Sequence, residues 1–466
     1  MVMRASPRLG RRRVSFGEDI VSLVNDAPGD ALSKAESWER VPLGEIATVL
    51  NGYPWKSEYF GNTEGVPLIR IRDMSTGVTE TRYNGPIIDG FWVEPGDLLV
   101  GMDGDFHLRR WHADRGLLNQ RVCKLETSPD YSSRFLEYIL PPYLQLINDN
   151  TSSVTVKHLS SRTLVEVPLP LPPIAEQCRI VAKLDALTAR LARARAELDR
   201  VLTLVGNNTQ RVLAECFNEK TSNQAELGSI LRGIEAGKNM RCEERPPREG
   251  ERGVVKVSAV TWGRFDPGQS KTLPSDYNPP AKVQIHAGDL LISRANTLEL
   301  VGAVVLVDVE PRELFLSDKI LRLVLDEDAK KWVLWFLRSA FGRKQIEELA
   351  TGNQLSMRNI GQNSLRSIRL PFPDAETRLR LTKEIEVAFA RAARLEAEAA
   401  HARALLDRLE SAILAKAFRG ELVSQDPNDE PASVLLGRIR AQRTAIPAAK
   451  GNRRGAKRAA LEAAID

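Results

Sequence analysis

The chain is short of the side chains from which most active sites are built. Among 466 residues it holds five histidines and four cysteines. Cys123, Cys178, Cys216 and Cys242 show no paired spacing. That excludes a zinc knuckle or ribbon and fits a reduced, cytoplasmic protein. His107 and His112 flank an arginine-rich loop, with neither HExxH spacing nor an acidic cluster beside them, so no metal site is expected there. No apolar run approaches the ~20 residues that a membrane span needs. Residues 1–37 carry Arg4, Arg8, Arg11, Arg12 and Arg13 without an apolar centre. They are not a secretory signal, and read as a disordered lead-in or an early start codon.

Catalytic constellations are missing as well. There is no Gly-x-Ser-x-Gly elbow, and Gly237-Lys238 lacks the spacing of a phosphate loop. No Glu-x-Lys occurs, which argues against the common nuclease carboxylate–lysine site. Asn278-Pro279-Pro280 has the first three residues of the loop that stacks on a flipped base in adenine methyltransferases, but Ala281 replaces the aromatic. No glycine-rich strand–helix turn for a methyl donor is present, so this segment reads as a plain loop.

What is present is ordinary in bulk and unusual in order. Hydrophobic residues make up 42% and charged residues 27%, as in a soluble protein with several cores. The net charge of +5 and a pI near 9.0 are compatible with a polyanionic partner without identifying one. The order is that of a duplication. PLPLPPIAEQ (168–177) and LPFPDAET (370–377) each run into a long amphipathic helix, and GDLL occurs at 96–99 and 288–291. Leu43-Gly44 matches Leu227-Gly228 at an offset of 184, and Gly96 matches Gly288 at 192. Lys157, Leu159, Leu164 and Leu169 match Arg358, Ile360, Leu365 and Leu370 at a constant 201. Drift marks loops that gained residues; constancy marks a shared rigid element.

Each copy has a strand-rich block. VPLIRIRDM (66–74), VEPGDLLVGM (93–102) and NQRVCKLE (119–126) read as strands in the first, and ERGVVKVSAV (251–260), VQIHAGDLLISRA (283–295) and KILRLVLDE (319–327) in the second. Residues 134–147 read as a short helix pair broken at Pro141-Pro142, and 331–349 as the counterpart helix, longer than in the first copy. Heptad seams follow each block. The first runs Ile180, Leu184, Leu187, Leu191, Ala194, Leu198, Val201, Val205, Asn208, Val212. The second runs Leu381, Ile385, Ala388, Ala392, Leu395, Ala399, Ala402, Leu406, Leu409, Ile413. Both predict coiled-coil helices of roughly 50 Å, packed antiparallel, with close approach at the alanines and Asn208 as a polar seam residue. The tail from Ile446 is basic and reads as disordered.

The expected fold class is α+β: two strand-rich α/β domains joined by two long antiparallel coiled-coil helices in a pseudo-two-fold repeat. The expected segments are a lead-in at 1–37, a first domain at 38–172 and a first helix at 173–220. A second domain at 221–373, a second helix at 374–420, a C-terminal segment at 421–443 and a basic tail at 444–466 complete the chain. Basic and amide-rich loops sit beside the strands of both copies. The candidate DNA contacts are Lys56, Arg70, Arg72, Arg109, Arg110 and Lys157 in the first, and Lys238, Arg241, Arg264, Arg294, Asn296 and Arg358 in the second. Arginine bonds guanine bidentately, asparagine does so with adenine, and lysine mainly meets phosphate. Each residue taken singly is equally a solvated loop charge. The set favours DNA because both copies place cations at matching positions. For Arg190, Arg193 and Arg195 on a helix face, partner contact and plain solvation stay open.

On PLPLPPIAEQCRIVAKLDAL (168–187) and AKAFRGELVSQDPNDEPASVLLGRIR (415–440), the chain resembles the specificity subunit of type I restriction–modification systems. The resemblance spans nearly all of 38–443. The second spacer departs from the pattern, with Asp374 and Thr377 where proline and glutamine are usual. The resemblance implies a non-catalytic reader of double-stranded DNA with two target-recognition domains. It implies two methyltransferase subunits as partners and, through them, a restriction and translocase subunit. S-adenosylmethionine, ATP and magnesium then belong to those partners, and none to this chain. Two readers on helices of fixed length imply an asymmetric bipartite target, with half-site centres about one helical turn, roughly 34–36 Å, apart. A stand-alone DNA-modifying enzyme and a coiled-coil adaptor without DNA are the alternatives.

Overall fold

The fold was derived from a computed structural model that describes residues 20–25, 32–151, 157–218, 223–354 and 357–445. Its contacts divide the chain into two compact units, 1–194 with 404–466 and 195–403. The cuts fall within the two long helices.

In the first unit, Glu39–Pro42 pairs antiparallel with Pro168–Leu171. A four-stranded antiparallel sheet has the order Ala47–Asn51, Val122–Thr127, Leu98–Gly101, Leu108–Arg110. A second sheet contains a parallel pair, Val66–Ile69 with Gly116–Leu118. The second unit repeats every step. Gln224–Glu226 pairs with Arg369–Pro371. Its four-stranded sheet has the order Gly233–Ala236, Ile320–Val324, Leu290–Ser293, Val304–Leu306. Gly253–Val255 runs parallel to Leu314–Phe315.

The duplicated GDLL string explains itself in this frame. Gly96 and Gly288 sit at φ +101° and +87°, where a side chain is strained. Asp97 Oδ2 accepts the Glu94 N–H and Asp289 Oδ2 the His286 N–H, both at 2.8 Å. These local bonds fix the turn. The two leucines that follow then face opposite sides of the sheet. Leu98 and Leu290 enter the helix-covered cores, whereas Leu99 and Leu291 enter the cores shared with the second sheets. A strand buried on both faces has to be apolar throughout, hence the unbroken leucine pair.

The long helices are Ile174–Cys216 and Ala375–Phe418. Their antiparallel packing is visible inside each unit. In the first, Ile180 and Leu184 share a core with Ala417 and Phe418. In the second, Leu213 and Phe217 share one with Ile385, and Arg403 donates to Asp199 at 2.7 Å. Gln177 Nε2 donates to Pro172 O at 2.9 Å and its Oε1 accepts the Ser132 N–H. Arg378 takes that place in the second copy, donating to Pro373 O at 2.6 Å and pairing with Asp328. Asp374 meanwhile caps the second helix, accepting the Thr377 N–H at 2.9 Å. The departure at Asp374 and Thr377 therefore exchanges one way of starting the helix for another.

Several expectations are corrected. Beyond Leu198 the heptad seam holds only in part: Val205 is buried and Val212 half-buried as expected, but Val201 and Asn208 are exposed, and Thr209 and Leu213 are buried instead. Leu395 and Leu409 are likewise 43% and 50% exposed. A straight helix drifts about 20° per heptad, so a strict seven-residue register fails over this length. The helix Ser133–Asn150 passes through Pro141 and Pro142 unbroken, because its buried face continues on both sides with Leu136, Ile139, Tyr143 and Leu144. The counterpart is the one that breaks, into Glu327–Arg338 and Ala340–Leu349, where the Ser339 hydroxyl caps the second piece. VPLIRIRDM and ERGVVKVSAV each contain a short strand followed by a helical turn, Asp73–Thr76 and Ser258–Thr261. The lead-in is not disordered where it is described: Ile20–Asn25 is helical, and Val24, Leu32 and Ala35 are buried in the first core. The basic tail from 446 lies outside the described residues.

Candidate nucleic-acid interface

In both units the same loops meet at one end of the four-stranded sheet. Gly52 follows the first strand and lies against the turn at Asn119-Gln120; Gly237 lies against the turn at Leu316-Ser317. A Cβ on Gly52 would come within 2.0 Å of the Asn119 carbonyl oxygen, and one on Gly237 within 1.7 Å of that of Leu316. Only glycine permits either approach. The backbone hydrogen bonds also repeat. Met102 N–H donates to Arg121 O at 3.0 Å, and Leu159 N–H to Met102 O at 2.7 Å. Arg294 N–H donates to Lys319 O at 2.8 Å, and Ile360 N–H to Arg294 O at 2.9 Å. Residues 52–56, 102–105, 119–121 and 157–158 thus form one cluster, and 237–241, 294–297, 317–319 and 357–359 its counterpart.

The candidate cations divide by what they touch. Arg109 donates to the Met74 and Ser75 carbonyls at 2.9 and 2.6 Å, closing the helical turn Asp73–Thr76. Arg110 bonds Glu137 at 2.9 Å and Gly96 O at 2.8 Å, tying the GDLL turn to the covering helix. Lys157 donates to Asn148 O and Oδ1 at 2.7 and 2.8 Å, and Arg358 to Gly352 O at 2.9 Å. These four hold the loops together. Arg72 donates to Thr81 Oγ1 at 2.6 Å, and Arg70 stands 5.6 Å from the centre of the Phe60 ring. Lys56 is exposed beside Glu58 at 3.4 Å, and the hydrogen bond to that carboxylate raises its ammonium pKa. In the second unit Lys238, Arg241, Arg264 and Arg294 are exposed, with no side-chain partner among the described residues. Asn296 Oδ1 accepts the Thr297 N–H at 2.9 Å, leaving its amide N–H₂ for other partners.

Residues outside the expected set join these clusters. Arg121 and Lys319 occupy the same place in the two turns. Arg121 pairs with Asp103 at 3.2 Å, and Asp103 also meets His158 at 2.6 Å. Aligning Asn119-Gln120-Arg121 with Ser317-Asp318-Lys319 directly before the matched strands identifies both cations from sequence. Trp262, within Thr261-Trp262-Gly263-Arg264, is 75% exposed on a loop whose Gly263 carbonyl is held by Arg338 at 2.6 Å. An aromatic ring so exposed beside an unpaired arginine suits contact with nucleotides.

Among the described residues no group of three or more His, Cys, Asp or Glu is placed to hold a metal ion, and no helix is long and apolar enough to cross a membrane. Burial pushes the Cys123 thiol up to about 12, which makes it an inert core residue.

Comparison with known proteins agrees with this arrangement. Residues 35–201 match the family described as "Type I restriction modification DNA specificity domain". The chain is 32% identical to the type I restriction enzyme EcoBI specificity subunit of Escherichia coli, over 95% of this chain and 100% of that protein. It is 24% identical to the EcoKI specificity subunit of Escherichia coli strain K12, over 90% and 98%. Among solved structures, a chain from work on complex assembly and conformational transition of the type I R-M system superimposes with a TM-score of 0.66 at 20% identity. It covers 84% of this chain and 100% of that one. The HsdS subunit from Thermoanaerobacter tengcongensis gives 0.51 at 19%, over 85% and 100%. At these identities the solved structures speak for the fold.

Proposed function

Because this chain belongs to the type I restriction–modification specificity subunits, we propose that its two loop clusters read two different halves of one bipartite DNA target. It is a non-catalytic subunit that recognises DNA sequence, and catalysis lies in partner subunits. The observation that carries the bipartite reading is the repeated cluster itself. Gly52 and Gly237 each press their backbone against the turn before the matched strand, and the hydrogen bonds at Met102 and Arg294 repeat, while the side chains around them differ. Two copies of one frame with unlike loops read unlike sequences, so the two halves differ. The outer faces of the long helices offer surface for two methyltransferase subunits and, through them, the restriction subunit. S-adenosylmethionine, ATP and magnesium are used there, in the cytoplasm.

Of the proposed contacts, Lys56, Lys238, Arg241, Arg264, Arg294 and Asn296 meet DNA, whereas Arg109, Arg110, Lys157 and Arg358 position loops. Exchange of residues 38–167 for the same block of a relative, followed by methylation mapping of the assembled complex, tests the division. One half of the target is expected to change. A change in both halves refutes two independent readers.

A further inference from the structure

We propose that the second unit carries a phosphate-binding pocket at its loop cluster, and that this pocket takes one internucleotide phosphate of the target DNA. The proposal rests on the DNA-reading assignment above and specifies how one half of it is held. A cavity of about 410 Å³ opens beside Gly237, between the turn at 238–240 and the turn at 317–319. Lys238, Lys256, Lys271 and Lys319 line it, with Ser258 and Ser317.

Its charge is positive after the ion pairs around it are counted. Glu244 lies on the exposed rim, bonded to Lys271 at 2.5 Å and 3.8 Å from Lys256. The hydrogen bond from Lys271 holds the Glu244 carboxyl below the ordinary glutamate range, so it stays ionised and committed to those two lysines. Lys238 and Lys319 have no partner among the described residues. Four lysines against Glu244 and Asp318 leave two net positive charges around the opening. The Ser317 hydroxyl lies in the same wall, with no hydrogen-bond partner among the described residues.

The duplication provides the comparison that separates a site from a packing defect. Three residues after Gly52 the first unit has Trp55, and three after Gly237 the second has Met240. Trp55 fills its place. Its indole N–H donates to Leu118 O at 3.0 Å, and its ring lies 4.8 Å from Tyr53 and 5.0 Å from Tyr83. One frame is thus plugged by aromatics and the other left open and lined by ammonium groups. The residue after the matched strand changes from Arg70, set over a ring, to Lys256, set in the wall. No aromatic residue lines the cavity, so nothing there stacks a base. Lysine meets phosphate as a point charge, without the bidentate fork that reads base edges. The ligand is therefore the anionic backbone.

The test uses the full chain and a duplex containing its mapped target, with single neutral methylphosphonates placed at each position of the second half-site. For the wild type, one position is expected to weaken binding about tenfold and to flatten the salt dependence by about one unit. In Lys238→Gln/Lys319→Gln that position is expected to lose its effect, since the charge it paired with is gone. Both lysines are exposed and unpaired, so the variant is expected to melt with the wild type; Ser317→Ala gives a milder second probe. Normal DNA binding with no methylphosphonate position that distinguishes wild type from variant refutes the pocket while leaving the DNA reading intact. Failure of the wild type to bind duplex DNA refutes the reading itself. Saturable thermal protection by inorganic phosphate that the variant loses, with no distinguishing methylphosphonate position, makes the pocket a free-anion site and overturns the proposal.

Discussion

Adding one methyl group at Gly237 should destabilise the second unit and spare the first. A Cβ there would sit 1.7 Å from the Leu316 carbonyl oxygen, where real contacts do not fall below 3.0 Å. The obstacle is backbone, so the turn as a whole has to retreat by more than an ångström. That retreat also breaks the Gly237 N–H bond to Ser317 O, at 3.2 Å. Overpacking costs about 1–3 kcal/mol and the lost bond about 1 kcal/mol, so Gly237→Ala should cost about 2–4 kcal/mol. For a unit of this size the transition should fall by about 4–16 °C. Gly233→Ala, at the start of the same strand with nothing within 4 Å of its added Cβ, is the control. It should be neutral or slightly stabilising, because alanine has less freedom to lose on folding. Calorimetry gives the size of the effect, and hydrogen exchange gives its place. Protection should fall at 233–236 and 320–324 and persist at 47–51 and 122–127. Gly52→Ala, aimed at the Asn119 carbonyl, should do the reverse. If Gly237→Ala melts with Gly233→Ala, the close backbone approach does not hold the cluster.

Three further outcomes are expected. Ala399 is 6% exposed on the second long helix, so Ala399→Leu should overpack it and cost about 1–3 kcal/mol by denaturant titration, whereas exposed Ala400→Leu should be neutral. Burial raises the Glu176 carboxyl against the Trp38 N–H and Arg179, so its protonated form is favoured on folding. Glu176→Gln should therefore raise the melting temperature at pH 7 and lose that advantage as pH falls below the ordinary glutamate range; an equal gain at pH 4 and pH 7 would contradict this. Four residues inserted after Leu198 add about 6 Å of helix, and methylation mapping should show a gap one or two base pairs longer between the halves.

Much of the fold was legible because duplication leaves two readings of each element. The offsets at Leu43-Gly44 and GDLL point to turns that both units build in the same way. What was not legible depended on competition that pattern does not weigh. Pro141-Pro142 failed to break a helix because burial on both sides outweighed two missing donors. Ser339 broke its counterpart because a hydroxyl cap and the close fit of Gly342 favoured a new start. The heptad register failed at Val201 and Asn208 because a straight helix drifts out of a strict seven-residue repeat over this length. At the candidate site, sequence identified cationic loops and not their partners. Arg109 and Arg294 look alike in a list of loop arginines. One closes a helical turn through two carbonyls, and the other extends from a strand end with no side-chain partner among the described residues.

That distinction bears on how such a reader changes its target. The contacts that define each cluster are backbone to backbone, at Gly52 and Asn119, Gly237 and Leu316, Met102 and Leu159, Arg294 and Ile360. None of these needs a particular side chain beyond the two glycines. Arg109, Arg110, Lys157 and Arg358 add side-chain bonds, and all of them end on neighbouring loops, helices or turns. Loss of any of them loosens a loop and weakens every sequence alike. The exposed set around Lys238, Arg294 and Trp262 carries no such duty. Substitution there leaves the frame standing and alters only what the frame presents. A protein built this way can exchange recognition without relearning how to fold. The same division explains why one copy can plug its cavity with Trp55 while the other keeps it open and lysine-lined on an otherwise matching scaffold.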